Sequence, residues 1–135
     1  MLESMAGKIE KLSACYETDA WGVTSQPAFW NQAILLSTPL LPDQLLTVIH
    51  QIEQVLGRQR DQRWGARTLD IDILYFGHQV ITTERLSVPH PEIANRRFTL
   101  VPLVEIAPGF VHPLLLKTNL ELLELCSDPL AVRPV

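Results

Sequence analysis

The sequence has little that suits a secreted or membrane-spanning protein. Its two cysteines, Cys15 and Cys126, lie far apart and form no C-x-x-C motif, which disfavours a disulfide scaffold and a cysteine metal site. No apolar run approaches the roughly 18 residues that a membrane-spanning helix needs. The first residues show neither the basic start nor the apolar core of a signal peptide. These absences predict a cytoplasmic protein with reduced cysteines.

The chain also lacks an excess of basic residues and a glycine-rich phosphate loop. A formal net charge of −4 disfavours broad binding to nucleic acid or to anionic membranes. No G-x-x-x-x-G-K-[ST] motif occurs, so a bound phosphate would have to be held by arginines and metal ions. With 135 residues, 47% of them hydrophobic, the chain can form one core, and we expect a single domain over residues 1–135.

The spacing of apolar and turn-forming residues predicts an α+β fold, in which helices pack on one sheet. Residues 1–6 resemble the end of a helix closed by Gly7. A longer helix over 42–56 carries an apolar stripe of Leu45, Ile49, Ile52 and Leu56. The remaining predicted elements are strands over 9–17, 29–37, 68–76 and 79–83, a hairpin turn at 77–78, a helix over 98–106, and a helix over 119–126 with Asn119 as its N-cap.

Two aspartates in the predicted strand 68–76 are the first indication of chemistry. Asp70 and Asp72 are two residues apart, so they share one face of the strand, while Ile71 and Ile73 share the other. Paired carboxylates on an otherwise apolar strand are costly unless a cation neutralises them, and Mg²⁺ prefers such oxygen ligands. A D-x-D pair alone is equally consistent with a solvated strand edge.

An arginine-rich segment lies just before the aspartates. It contains Arg58, Arg60, Arg63 and Arg67 against one acid, Asp61, in a chain that is acidic overall. An arginine cluster alone is typical of a solvated loop, but beside paired carboxylates it suits a polyphosphate. Together the two features predict a site for Mg²⁺ and a nucleotide.

The run R-W-G-A-R-T-L-D-I-D-I-L-Y-F-G over residues 63–77, with V-P-H-P at 88–91 and N-R-R-F at 95–98, closely resembles the 6-hydroxymethyl-7,8-dihydropterin pyrophosphokinase family of folate biosynthesis. The resemblance implies a ferredoxin-like antiparallel sheet with helices packed on it. In the family a strand, a Gly-Ser-Asn turn and most of a helix precede the point that matches Met1. We therefore expect the chain to be N-terminally truncated and Met1 to be an internal methionine.

The activity implied by the resemblance is transfer of the pyrophosphoryl group of ATP to the pterin hydroxymethyl group, with release of AMP and with two Mg²⁺ ions. We expect the protein to be a monomer. Both metal ions would be held by Asp70 and Asp72. The implied catalytic set is Asp70, Asp72, Arg58, Arg67 and Trp64. The implied pterin contacts are Thr18, Asp19, Trp21, Phe29, Asn31, Trp64 and Phe98. The implied ATP contacts are Glu53, Arg60, Arg63, Arg67, Ile73, Arg85, Ser87, His90 and Arg96.

Other interpretations of the same residues are open at this point. Without the resemblance, Phe29, Trp30 and Phe98 would be assigned to the core, and His90 to a structural or surface position. A truncated chain could bind nucleotide and pterin without catalysing their reaction. A ferredoxin-like RNA-binding domain is a third alternative, but the net charge of −4 counts against it.

Overall fold

The computed structural model describes residues 1–18, 29–57 and 69–135, and in them short antiparallel sheets carry packed helices. The predicted α+β class is confirmed. In chain order the elements are α1 Leu2–Ala6, β1 Lys8–Leu12, β2 Tyr16–Thr18, β3 Phe29–Asn31, β4 Ile34–Ser37, α2 Pro42–Gly57, β5 Ile81–Thr82, β6 Ser87–Val88, α3 Arg97–Ile106, α4 Asn119–Leu125 and β7 Val132–Pro134. None of the described helices is both long and apolar enough to cross a membrane.

The strands predicted over 9–17 and 29–37 are each divided in two. Strand β1 pairs with β4, whereas β2 lies between β3 and β7 in a second sheet. The break is stabilised by Ser13, which is buried; its backbone N–H donates to the Ala33 carbonyl at 2.9 Å, and its Oγ accepts from the Ala33 N–H at 2.8 Å. Gln32 donates to the Ser13 carbonyl at 2.8 Å. Because the Ser13 side chain takes the place of a regular ladder partner, neither of the two predicted long strands continues past this point.

The hairpin predicted to join residues 68–76 to 79–83 is wrong, and so is the strand over the described part of 68–76. A turn does form, in which Gln79 N–H donates to the Phe76 carbonyl at 3.1 Å. However, residues 69–76 belong to no strand ladder of the described chain, and β5 pairs with β6 instead. The backbone of 69–76 is bound by other partners: Glu53 accepts from Ile71 N–H, and the Leu74 carbonyl accepts from His90 N–H.

Helix α2 is the element on which the middle of the chain packs. The predicted apolar stripe is confirmed for Leu45, Ile49 and Ile52, which are buried, while Leu56 is half-buried. Leu45 and Ile49 form a cluster with Ala6 of α1, and Ile71 and Ile73 pack against it. On an adjacent side of the helix, Leu46 is buried against Leu86 and Val88 of the β5–β6 hairpin, again with Ile73. The helix therefore supports both the aspartate segment and this hairpin.

Helices α3 and α4, with Ile93 just before α3, form a separate apolar cluster of Ile93, Leu100, Leu103 and Leu122. The N-cap of helix α4 lies one residue before the predicted one. Thr118 is the N-cap, since its Oγ1 accepts from Glu121 N–H at 3.1 Å while the Glu121 carboxylate accepts from Thr118 N–H at 2.8 Å. This reciprocal capping box satisfies two N–H groups at the helix start. The predicted cap, Asn119, is fully buried instead.

Candidate functional site

A cleft of about 440 Å³ lies between α2, the aspartate segment 69–76 and the β5–β6 hairpin. Its walls bring together seven residues that the sequence assigned to metal or ATP binding: Glu53, Asp70, Asp72, Ile73, Arg85, Ser87 and His90. These residues come from four separate stretches of sequence. Their convergence on one concave surface is the feature expected of a ligand site.

Asp70 and Asp72 are exposed, whereas Ile71 and Ile73 between and beside them are half-buried. The two isoleucines pack against the apolar side of α2. The alternation expected of a strand is thus present although no strand of the described chain pairs with this segment. Packing of the isoleucines leaves both carboxylates accessible from the cleft.

Glu53 holds the backbone between the two aspartates. Its Oε2 accepts a hydrogen bond from Ile71 N–H at 2.7 Å, so a carboxylate on α2 is joined directly to the aspartate segment. A hydrogen bond to an ionised acceptor is stronger than one between neutral groups. Glu53 therefore has a structural partner in addition to its predicted role as an ATP contact.

The carboxylates fit a metal ion that is bound together with a phosphate ligand. Within residues 1–18, 29–57 and 69–135, no three His, Cys, Asp or Glu side chains form a cluster able to hold a metal ion. Two accessible carboxylates are too few for a closed metal site. They do match Mg²⁺, which is usually held by one or two carboxylates while substrate phosphates and water complete its ligands.

His90 lines the cleft in a fixed orientation. Its backbone N–H donates to the Leu74 carbonyl at 2.8 Å, and its Nδ1 accepts from Glu92 N–H at 3.1 Å. Because Nδ1 is an acceptor, the neutral ring carries its proton on Nε2. The ring can therefore donate a hydrogen bond from Nε2 to an anionic ligand.

Tyr75, just beyond the aspartates, anchors the other end of the segment, and sequence reasoning did not assign it a role. Its hydroxyl donates to Asn119 Oδ1 at 2.7 Å, and its ring lies 4.5 Å from that of Phe110. Burial raises the pKa of Tyr75 to about 12, so the hydroxyl keeps its proton at neutral pH. Asn119 in turn donates from Nδ2 to the Ala107 carbonyl at 2.8 Å. An asparagine at the start of an apolar helix was the available signal, and it was interpreted as a cap.

His112 completes this anchor from the loop between α3 and α4. It is buried, its ring centroid is 5.6 Å from that of Tyr75, and its Nδ1 accepts from the N–H groups of Leu114 and Leu115 at 3.1 and 3.0 Å. Burial lowers the pKa of His112. The neutral ring is the form that this loop requires, because a proton on Nδ1 would remove the shared acceptor.

The described residues assigned to the pterin do not line this cleft. Thr18, Phe29 and Asn31 are gathered on the β2–β3 pair, where Thr18 is directly opposite Phe29. Thr18 is buried, and its hydroxyl has no hydrogen-bond partner among the residues that the structure describes. Phe98 is half-buried at the start of α3. A buried hydroxyl without a partner suits a position that a polar ligand reaches.

Arg96, an assigned ATP contact, is not one of the described residues that line this cleft. Its guanidinium carbon lies 5.7 Å from the centre of the Phe98 ring, within the range of a cation–π contact. Seven other assigned residues lie outside the described parts of the chain, so their roles stay predictions: Asp19, Trp21, Arg58, Arg60, Arg63, Trp64 and Arg67.

Comparison with known proteins agrees with the resemblance noted in the sequence. A family model described as 7,8-dihydro-6-hydroxymethylpterin-pyrophosphokinase matches residues 1–108. Proteins named 2-amino-4-hydroxy-6-hydroxymethyldihydropteridine pyrophosphokinase are similar to the chain in Aquifex aeolicus (44% identity over 79% of this chain and 67% of that protein) and in Synechocystis (41% over 95% and 65%). The protein of that name in Bacillus subtilis is 49% identical over 73% of this chain and 59% of its own length. The chain thus matches about three fifths to two thirds of the length of these relatives.

The bond from Ile71 to Glu53 can be tested by unfolding in urea. Glu53→Ala should lower the free energy of unfolding by about 1–2 kcal/mol, because Ile71 N–H loses a charged acceptor. Glu53→Gln should lower the free energy of unfolding much less, since its amide oxygen can still accept from Ile71 N–H. Gln54→Ala, at the exposed next position of α2, is the matched control and should be close to the unchanged protein. Equal stability of the Ala and Gln variants at position 53 would contradict this role.

His112 should make stability depend on pH. Its pKa is below the ordinary value of 6.5 in the folded chain, so between those two values the unfolded chain binds more protons. The contribution of His112 to the free energy of unfolding is therefore fully present above about pH 6.5 and should decrease as the pH falls below that value. Unfolding followed from pH 8 to pH 5 should show this loss, and His112→Asn, which has no titrating ring, should show less of it.

The control for that experiment is His50→Gln, which removes an exposed histidine from α2. It should keep the pH dependence of the unchanged protein. The same slope in the His112→Asn variant as in the unchanged protein would show that His112 is not responsible.

Proposed function

Because the chain belongs to the 7,8-dihydro-6-hydroxymethylpterin-pyrophosphokinase family, we propose that it transfers the pyrophosphoryl group of ATP to the hydroxymethyl oxygen of 6-hydroxymethyl-7,8-dihydropterin. In this reaction the hydroxyl oxygen attacks the β-phosphorus of ATP and loses its proton. The bond from the β-phosphorus to the α,β-bridging oxygen breaks, and AMP leaves. The predictions of a single domain, a monomer and a cytoplasmic location belong to the same proposal.

The observation that carries the proposal is the composition of the cleft. One side presents the carboxylates of Asp70 and Asp72, and the hairpin side presents Arg85, Ser87 and His90 as hydrogen-bond donors. Phosphoryl transfer depends mainly on positioning and on stabilising charge at the phosphates. Donors and a carboxylate pair on the walls of one cleft suit a triphosphate bound there.

Asp70 and Asp72 are the residues that would hold Mg²⁺, and two ions are proposed. When bound, Mg²⁺ supplies neutralising charge to the phosphate oxygens. The protein contributes the placement of the two carboxylates, through the packing of Ile71 and Ile73 and the bond to Glu53. Arg58, Arg60, Arg63 and Arg67 are proposed to bind the phosphates from the segment before the aspartates, with Arg58 and Arg67 acting at the reacting group.

The pterin is proposed to bind near the β2–β3 pair. The ring is flat and has an amide-like edge, so aromatic contacts and directed hydrogen bonds are suited to it. Phe29 and Phe98 supply aromatic surface, and Asn31 can both donate and accept. The buried Thr18 hydroxyl, which lacks a partner among the described residues, supports a polar ligand at this place. Asp19, Trp21 and Trp64 are proposed to complete the set.

The proposal is tested by following AMP release from MgATP with and without 6-hydroxymethyl-7,8-dihydropterin. Chromatography of the nucleotides should show AMP only when the pterin is present, in equal amount to the pterin diphosphate formed. Release of ADP in place of AMP would contradict the reaction. Binding of an ATP analogue without any AMP production would favour the alternative, a nucleotide- and pterin-binding fragment without activity.

Asp72 gives the corresponding variant. Asp72→Ala should reduce kcat by at least about a hundredfold, because a carboxylate is lost from the position that stabilises charge during transfer. Circular dichroism should show an unchanged fold, since Asp72 is exposed. Glu124→Ala, which removes an exposed carboxylate from α4, is the control and should keep full activity. A kcat of Asp72→Ala near that of the control would contradict the metal role of Asp72.

A further inference from the structure

Arg85 is bound by two side chains of α2 that none of the site assignments includes. Its NH1 lies 3.0 Å from Oδ2 of Asp43, and its NH2 donates to Oγ1 of Thr47 at 3.0 Å. Among the described residues that line the cleft, Arg85 is the only arginine or lysine. The orientation of its guanidinium relative to the carboxylates therefore affects how a phosphate can be bound on the hairpin side.

The two partners of Arg85 are themselves fixed. Asp43 is in the first turn of α2, where a negative charge is favoured by the helix dipole. Thr47 follows one turn later on the same side of the helix, and its hydroxyl donates to the Asp43 carbonyl at 3.2 Å. With its proton committed to that bond, the Thr47 oxygen presents lone pairs to Arg85.

The backbone of Arg85 is held against the same helix. The next residue, Leu86, is buried against Leu46, which is the neighbour of Thr47 in α2. Across the tight turn, Thr83 N–H donates to the Leu86 carbonyl at 2.9 Å, and Leu86 N–H donates to Thr83 Oγ1 at 3.1 Å. The main chain and the guanidinium of Arg85 are thus both positioned by α2.

We infer that Asp43 and Thr47 are positioning residues that hold the Arg85 guanidinium ready to bind the phosphates of the nucleotide, an inference that rests on the function proposed above. A guanidinium has five N–H donors, and these two bonds use one on each terminal nitrogen. The others can serve a phosphate without breaking either bond. Asp43 and Thr47 would act by limiting the orientations of a flexible side chain, which lowers the cost of binding.

The exposure of the Arg85–Asp43 pair favours a positioning role for Asp43 over a role in folding stability. Half of the Arg85 side chain and two thirds of that of Asp43 are exposed. Exposed ion pairs contribute little to folding stability, so variants of Asp43 should remain folded. Their effect should instead be seen in nucleotide binding.

The inference is tested with Asp43→Asn and Thr47→Val, in steady-state kinetics and by calorimetric binding of a non-hydrolysable ATP analogue with Mg²⁺. Both variants should raise KM for ATP and the Kd of the analogue, each on the order of threefold, the size expected for one exposed pair. They should leave kcat, KM for the pterin and the melting temperature nearly unchanged. Thr47→Ser keeps the hydroxyl and should restore affinity.

A double-mutant cycle shows whether the effect passes through Arg85. Arg85→Ala should raise the Kd of the analogue by about tenfold or more, because a charged donor is lost. Adding Asp43→Asn to it should cause little further loss, since the two changes remove the same contact. The matched control is Glu10→Gln. It removes the acid of another exposed ion pair, Lys8–Glu10, whose residues do not line the cleft.

The outcomes separate this inference from the proposed function. If the unchanged chain forms AMP but Asp43→Asn binds the analogue equally well, the positioning role is wrong and the function stands. Tighter binding in Asp43→Asn would also overturn it, since Asp43 would then compete with the phosphates for Arg85. If the chain forms no AMP, the function fails, and the Kd values still decide the role of Asp43. A chain that binds no analogue would overturn both.

Discussion

The attachment of the aspartate segment to helix α2 is the constraint on which the candidate site depends. In the described chain, residues 69–76 belong to no strand ladder, and the placement of the part that carries the two aspartates rests on side-chain contacts. Ile71 and Ile73 bury apolar surface against α2, and Glu53 accepts from the amide between the aspartates. The apolar contacts set which way the carboxylates face, and the single charged hydrogen bond sets the position along the helix. Any change that loosens this attachment would move both carboxylates together.

Helix α2 serves the site along its whole length. Its N-terminal turns bind Arg85 through Asp43 and Thr47, its middle packs under the hairpin and the aspartate segment, and Glu53 near its end binds Ile71. The carboxylate side and the donor side of the cleft are therefore both attached to the same helix. Such a scaffold suits a reaction in which the placement of charged groups relative to one another determines the rate. The described residues that are proposed to contact the pterin, by contrast, lie on the β2–β3 pair and at the start of α3.

Much of this arrangement could be predicted from the sequence because its signals are local. The 3.6-residue period of apolar side chains in α2 and the two-residue period at Asp70 and Asp72 were both informative. The resemblance to the family then assigned residues distant in sequence, such as Glu53, Arg85 and His90, to one site. The predictions that are wrong concern pairing between distant residues. The strands predicted over 9–17 and 29–37 are divided at the buried Ser13, and in place of the hairpin predicted at 77–78, β5 pairs with β6. Asn119 was assigned to a cap, although its amide is used by Tyr75 and Ala107, which no local pattern reveals.

The central claim is that Asp70 and Asp72 hold a divalent metal only in combination with a nucleotide. It is tested most directly by titrating the protein with Mn²⁺, which accepts the same oxygen ligands as Mg²⁺, and following free Mn²⁺ by electron paramagnetic resonance. We predict weak binding to the protein alone, and much tighter binding when a non-hydrolysable ATP analogue is present. The gain should be lost in Asp70→Asn and in Asp72→Asn. Tight binding without nucleotide, or an unchanged gain in both variants, would contradict the account.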